Sequence, residues 1–517
     1  MKKCLIILLC FCALQFCNAQ KYFNELIDYN TQQFESLTAV HQLKDSGYIA
    51  AGFSVKMGYG YNYFAVQTDK RGTITNKICY QVPYKEISVA SPLKAINDSE
   101  FVCTGVIIDQ DSTTTRYNRD IYLLKLNNIG DTIWTKRLGF GIGTLSNPDF
   151  EVGFDVIYTQ DNGYAITGYS SNFVGGNVQV CLIKTDSLGN LLWQKSYGGG
   201  GTENAYSLIQ TPDKGFLLAG YTYSYGNGDR DGYLIKTDSL GNFQWQKTYG
   251  GAGNDGLSGL CKTVDGNYLL SGWTKTNFNL LYQSKLWFIK VDNNGNQIWN
   301  KTFGGDYGIA EVDRLIQLQD STCVGIGGIS DSSGIPISGL IMKISLNGDS
   351  IWAREYKRAT TQADYFNGFA ATNDGGFIIA GQVPGQATPS GTQDGWLVKV
   401  DCLGADSITH YFGNSCYSGS VTGIKEIVID YDYPNLMDNY PNPFDEITVL
   451  PYYLPDKVIA GEIIITDITG RIVQKYNLQN GSKNIVFNSS ELGNGIYYYT
   501  MIVDGKTIST KKMVILK

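Results

Sequence analysis

Six carboxylates stand at one repeated place in this sequence. Glu35, Glu151, Glu203, Asp255 and Asp364 each precede the first apolar residue of a strand-like run by 13 residues, and Glu311 does so by 12. If these acids open the innermost strand of each repeat, they ring one mouth of a central channel, where like charges attract a cation or a basic peptide. A plainer use is open to them as well. Each acid can accept hydrogen bonds from the backbone of the Gly-Gly turn before it, or pair with a repeat lysine such as Lys195, Lys247 or Lys301. Repetition in unit after unit favours the plainer use, because a catalytic site breaks symmetry.

Other chemistry is scarce. With only two histidines, His41 and His410, a metal cage built on imidazole or a Ser-His-Asp relay is nearly excluded. A pair of carboxylates for glycoside cleavage stays open, since separation in space is invisible in a sequence. In "NGDRDG", Asn227, Asp229 and Asp231 alternate before Gly232 like the first half of a calcium loop, and calcium is the one cofactor candidate. Position twelve of such a loop would be Asp238, which already belongs to a hairpin turn. Asp231 also has counterparts at Asp120 and Asp394, which speaks for a turn role. Tyr221, Tyr223 and Tyr225 crowd one inter-strand loop and could stack on sugar or peptide, or serve as ordinary strand aromatics. The longest departures from the repeat are "VIIDQDSTTTRYNRD", with Asp109 and Asp111, and "TKTNFNLLYQSKL". If those loops meet over Asp109 or Asp111, an enzymatic acid pair gains ground.

The elements that must position these residues are repeats. "LIKTDSLGNLLWQKSYGG" at 182–199 returns as "LIKTDSLGNFQWQKTYGG" at 234–251. The turn glycine of this phrase recurs at Gly72, Gly130, Gly189, Gly241, Gly295, Gly348 and Gly404, and a second glycine keeps step at Gly52, Gly105, Gly168, Gly220, Gly272, Gly327 and Gly381. Two anchors in step identify a repeat architecture. Each unit holds four short runs rich in aromatic and β-branched residues, separated by Gly, Asp, Asn and Ser. Phe243, Trp245 and Lys247 share one face and Gln244, Gln246 and Thr248 the other, the period of a strand. Four strands in about 50 residues, seven times over, predict an all-β chain with a seven-bladed β-propeller of four-stranded antiparallel blades. Trp134, Trp193, Trp245, Trp299 and Trp352 fall at one repeat position, replaced by Asn76 in the first unit and Ile408 in the last, and read as inter-blade packing. The run "YFNELIDYN" is placed to add an outer strand that closes the ring against the last blade.

The bulk numbers agree with a globular exported protein. The chain has 517 residues, 43% hydrophobic and 17% charged. Lys2 and Lys3, an apolar run from Cys4 to about Leu14 and the small Ala19 read as a secretory signal over residues 1–19. The run is too short to span a bilayer, which takes about 20 residues. Its removal takes two lysines and moves the net charge from −7 to −9. An acidic surface repels phosphate backbones and anionic lipid, so no nucleic-acid partner and no membrane span are expected in the mature chain. Among the seven cysteines that remain, most read as small buried hydrophobes. Cys402 and Cys416, 14 apart in Gly-rich sequence, are either two free thiols or a disulfide worth roughly 3 kcal/mol.

After a linker at 414–433 the repeats of 20–413 give way to a different domain at 434–517. Its runs "EITVLPYYL", "GEIIITDITG", "RIVQKYNL", "KNIVFN", "GIYYYTMIVDG" and "KKMVIL" alternate apolar and polar residues and predict a small C-terminal β-sandwich. "YPNPF" at 440–444, "LPYYLP", "IIITDITGRIV" at 463–473, "LGNGIYYYTMIVDG" at 492–505 and the ending "KKMVILK" together resemble the type A carboxy-terminal sorting domain of type IX secretion substrates. The seven repeats also resemble propeller-like repeats of such cargo, a likeness that brings no activity with it. The sorting resemblance implies export through the type IX secretion machinery, removal of the domain by a sortase, and a mature chain secreted or anchored at the outer-membrane surface of a Gram-negative bacterium. The expectation is a binding or adhesion protein for an extracellular glycan or protein. The alternative is a propeller hydrolase or lyase acting on extracellular polysaccharide.

Overall fold

The computed structural model describes residues 23–27, 33–56, 60–80, 85–89, 91–110, 117–140, 150–171, 177–275, 284–304, 308–330, 337–357, 363–384, 393–406, 424–426, 434–436, 439, 442, 444–454 and 460–517. Residues 1–19 expected as a signal, the expected linker 414–433 apart from 424–426, Asp111 and Cys416 lie outside them, and with Cys416 the Cys402 pairing. Regular structure among the described residues is β throughout, and none contains a helix long and apolar enough to cross a membrane.

Strand pairing in the repeat region gives six sheets of propeller-like, antiparallel four-stranded units, because the last repeat unit and the first are joined in one sheet where Phe34 pairs with Gln393. Unit 4 is representative: Glu203–Gln210, Phe216–Thr222, Asp231–Thr237 and Phe243–Tyr249 pair antiparallel in chain order. From unit 3 to unit 7 the first strand of each unit packs beside that of the next, unit 2 meets its neighbours through other strands, and Tyr365–Ala371 of unit 7 packs against Gln33–Gln42 of unit 1, so the units form a ring.

One contact repeats between neighbours. The glycine of the "TDSLGN"-type turn sits on the tryptophan of the preceding unit in five units, while Gly130 meets Ala65 and Ile78 instead: a Cβ on Gly241 would lie 2.6 Å from the Trp193 ring, and one on Gly295 2.8 Å from Trp245. Gly241 has φ of 74°, so the position needs glycine twice over, for the left-handed backbone and for the close approach. The carbonyl of the same glycine accepts a hydrogen bond from a buried tyrosine of the preceding unit, Tyr197 Oη to Gly241 O at 2.6 Å and Tyr249 Oη to Gly295 O at 2.7 Å. Trp134, Trp299 and Trp352 make the same seat for Gly189, Gly348 and Gly404.

Closure uses the amino-terminal strand Phe23–Ile27, which pairs with Gln393–Val400 as the outer strand of unit 7. Phe23 lies opposite Lys399, the register in which Trp193 lies opposite Lys184 and Trp245 opposite Lys236. It also performs the tryptophan's task, since a Cβ on Gly72 of unit 1 would meet the Phe23 ring at 2.7 Å. The ring therefore closes by joining its two ends with the same contact that joins its interior units.

A buried lysine on the third strand braces the turn between strands one and two. Lys184, Lys236, Lys290, Lys343 and Lys399 meet Asp161, Asp213, Asp265, Asp320 and Asp374 at 2.6–3.0 Å. Each ammonium is nearly inaccessible while its partner is partly wet, as with Lys236 at 8% and Asp213 at 53% exposure. Burial pushes the Asp213 and Asp265 carboxyls up, but the Lys236 and Lys290 ammonium groups with the Thr211 and Thr263 hydroxyls outweigh it and bring both down to about 2.

The carboxy-terminal domain is a sandwich of two sheets. Asn435–Leu436, Ile447–Leu454 and Gly481–Asn488 form one, and Ile472–Asn477, Gly461–Asp467, Gly495–Val503 and Lys506–Ile515 the other. Leu450, Tyr452, Ile463, Ile465, Phe487, Tyr499, Met501 and Met513 fill the layer between.

Two outcomes are expected. Phe23→Ala removes a buried ring at the closing contact and should lower unfolding free energy in urea by about 3 to 5 kcal/mol. For the lysine braces, carboxyls depressed in the folded state contribute fully above the ordinary value near 4, and that contribution is lost as pH falls toward 2. Melting temperature followed from pH 5 to pH 2 should drop less steeply in Asp213→Asn than in the parent chain.

Candidate functional site

The first strands share an irregularity. Register shifts between Leu37 and Ala39, Gly153 and Asp155, Ala205 and Ser207, Leu257 and Gly259, Val312 and Arg314, and Phe366 and Gly368 mark a β-bulge at one position in six units. A bulge re-aims the extra side chain. Here the extra residues are Thr38, Phe154, Tyr206, Ser258, Asp313 and Asn367, and all six line one cavity of about 590 Å³. Six first strands reach the same cavity, so it lies on the axis of the ring. The corresponding residue of unit 2, Ala90, is outside the described residues. The scaffold repeats, but its axial lining of Thr, Phe, Tyr, Ser, Asp and Asn does not.

The repeated acids divide into five and one. Glu35, Glu151, Glu203, Asp255 and Asp364 are fully buried, and none lines the cavity. Glu203 accepts from the Gly199 N–H at 3.0 Å, from Thr222 Oγ1 at 3.0 Å and from Ser224 Oγ. Asp255 accepts from the Gly251 and Lys275 N–H groups at 2.8 and 3.0 Å, and Glu151 from Phe140 N–H at 2.9 Å and Ser170 Oγ at 3.0 Å. Glu35 accepts from Ser54 Oγ at 3.4 Å. Their backbones tie units together too, since the N–H groups of Glu203, Asp255 and Asp364 donate to Val178, Arg230 and Ile337 carbonyls.

Glu311 is the exception. Glu203 pairs with Thr222, two residues past the anchor Gly220, but in unit 6 the residue opposite Ile329, two past Gly327, is Ala310. Glu311 is one residue further on and opposes Gly328. A slip of one residue turns a strand side chain to the other face, and Glu311 lines the cavity beside Asp313. The spacing of 12 in place of 13 was the sequence signal for this.

Five charged side chains meet at the cavity. The Asp313 charge and burial together push the Glu311 carboxyl up. Burial also raises Asp313, opposed by Arg314 and by a hydrogen bond with Ser258. Arg314 spans to the opposite wall, donating to the Tyr206 carbonyl at 3.1 Å and the Phe154 carbonyl at 3.4 Å. Arg230 lies over Trp273 with Cζ 4.1 Å from the ring centroid, and Lys275 is pushed down by burial and by the Arg230 charge.

The loop candidates scatter. Tyr221 lines the cavity, packed between Tyr206, tilted at a centroid distance of 5.9 Å, and Tyr223, edge-on at 5.8 Å. Tyr223 and Tyr225 are exposed, and Tyr225 Oη donates to the Gly198 carbonyl at 3.1 Å. Asp231 is buried and accepts from the Asn227 and Gly228 N–H groups, both at 2.9 Å. No group of three or more His, Cys, Asp or Glu side chains that could hold a metal ion occurs among the described residues. Asp109 stands in the strand Glu100–Gln110, opposite Lys85 and Asn118. The segment 276–283 lies outside the described residues, but Lys275 and Ser284 on either side of it line the cavity.

Residues 438–516 match the family of secretion system C-terminal sorting domains. The sandwich is therefore a sorting domain of that kind, and it implies export by and contact with the type IX secretion machinery. No curated protein sequence matches the chain. Among solved structures it is similar to Sqt1 from Chaetomium thermophilum, at 10% identity over 73% of this chain and 100% of that one, TM-score 0.37. It is also similar to PorZ, a bacterial surface component of the type IX secretion system of Porphyromonas gingivalis, at 10% identity over 93% and 81%, TM-score 0.26. YCF48 bound to D1 peptide matches at 9% identity over 74% and 95%, TM-score 0.37.

The two kinds of acid should respond oppositely to substitution. Glu203→Ala strands buried donors and should lower stability by about 1 to 3 kcal/mol. A carboxyl raised in the folded state destabilises once pH passes its unfolded value, so Glu311→Gln should raise the melting temperature at pH 9 and leave it nearly unchanged at pH 4.

Proposed function

We propose that the chain is a secreted, cell-surface binding protein whose β-propeller holds a glycan in its axial cavity and whose sorting domain directs its export. Residues 1–19 are the signal segment, 20–413 the propeller, 414–433 a linker and 434–517 the sorting domain, removed by a sortase as the mature chain is anchored or released. The observation that carries the reading is the cavity's asymmetry. In a scaffold that repeats its turns, tryptophans and lysine braces, the bulge residues on the axis are the ones that differ. A volume of about 590 Å³ suits a small ligand or the end of a chain. Tyr206, Tyr221 and Trp273 supply faces for a sugar ring, and the charged groups supply directional hydrogen bonds.

One observation favours a second reading, a hydrolase or lyase acting on extracellular polysaccharide. The Asp313 charge and burial raise the Glu311 carboxyl, the direction a general acid needs, and Asp313 lies beside it. Incubation of the full chain with an array of extracellular glycans, scoring retention and reducing-end release together, separates the two. Retention without release, unchanged in kind by Glu311→Gln, is the expected result. Release that Glu311→Gln abolishes would establish the enzyme instead.

A further inference from the structure

The backbone of Arg230 takes the repeat's inter-unit bond, and its side chain is set among aromatic rings. Its Cζ lies 4.1 Å from the Trp273 ring centroid, 5.0 Å from Tyr221 and 5.8 Å from Tyr223, so rings from two units surround one guanidinium. Its backbone is fixed as well, because its carbonyl accepts the Asp255 N–H at 2.8 Å and it bridges to Asn254 of the next unit. The corresponding residue of unit 2, Arg119, lies over Phe150 at 5.3 Å, and that of unit 3 is Val178. No ion pair engages the Arg230 guanidinium among the described residues, and its Nε is buried without a hydrogen-bond partner there. A guanidinium stacked on aromatic faces keeps its edge for an acceptor, and that edge matches a carboxylate or sulfate.

The surrounding charge points the same way. The whole chain carries −7, yet this cavity gathers Arg230, Lys275 and Arg314 against Glu311 and Asp313. The Arg230 charge, after burial, disfavours the Lys275 ammonium. An anion between them relieves that repulsion, while an uncharged ligand leaves it in place.

We propose that the cavity has a subsite for one anionic group on a sugar, a carboxylate or a sulfate, which Arg230 grips from its seat on Trp273 while the neighbouring tyrosines take the ring face. This rests on the reading of the cavity as a glycan site, and the two can fail separately. The full chain and Arg230→Gln are compared on arrays of size-matched neutral, uronate-bearing and sulfated oligosaccharides, and tryptophan fluorescence is followed during titration with inorganic sodium sulfate. The expected result is retention of acidic sugars at least about tenfold above neutral ones, lost in Arg230→Gln while any neutral retention persists. The uronate and sulfate arms tell which anion the subsite prefers. Equal retention of neutral and acidic sugars overturns the anion subsite and leaves the glycan reading standing. A saturating, Arg230-dependent sulfate response without retention of any sugar keeps the anion subsite and overturns the glycan reading. Silence in both assays overturns both. If Arg230→Gln unfolds, Arg230→Lys substitutes for it, keeping the charge and losing the fork, with acidic retention expected to fall and not vanish.

Discussion

The seat of a turn glycine on the tryptophan of the preceding unit is the contact on which the rest of the propeller depends. It joins an element that must turn tightly to one that must cover a wide apolar gap, and the left-handed glycine at the turn is what lets the backbone come down onto the ring. A tyrosine hydroxyl donating to the same glycine carbonyl adds direction to the packing. Because the contact runs between units and not within one, no unit is complete alone. The open end of the ring would leave Gly72 without its ring partner, and Phe23 fills that place from the far end of the sequence.

Repetition of this kind makes the scaffold rigid and chemically quiet, and it confines individuality to the places the contact does not control. The bulge of the first strand is such a place. It sits on the axis, where neighbouring units converge and side chains of any size can project without disturbing an interface. Among the five buried acids, Glu151, Glu203 and Asp255 hold turns to strands. Glu311 escapes that duty by a one-residue slip and becomes available to the cavity, at the energetic expense of a carboxyl buried beside another. Strain of that sort is common where binding or chemistry occurs.

The sorting domain stands apart in composition and in core. Its two sheets enclose their own apolar layer, so its recognition by the export machinery need not draw on the propeller. The sorting domain thus folds around a core of its own.

Much of this was legible in the residues themselves. Period-2 alternation, turn glycines in step and the recurring tryptophan define strand number and unit boundaries, because these are local rules applied seven times over. The sandwich of 434–517 was legible for the same reason. The braces between Lys236 and Asp213 and their kin were not, since each joins residues more than 20 apart with no pattern linking them before the turn is folded. The same holds for the cavity. A bulge leaves no mark in composition, and whether Asp313, Arg230 and Trp273 share a space depends on how the units pack around the axis. Sequence by itself determined the repeated element and its edges. Only the tertiary structure decided which faces of those elements meet, because a shift of one residue, invisible to propensity, reverses the face a strand side chain takes.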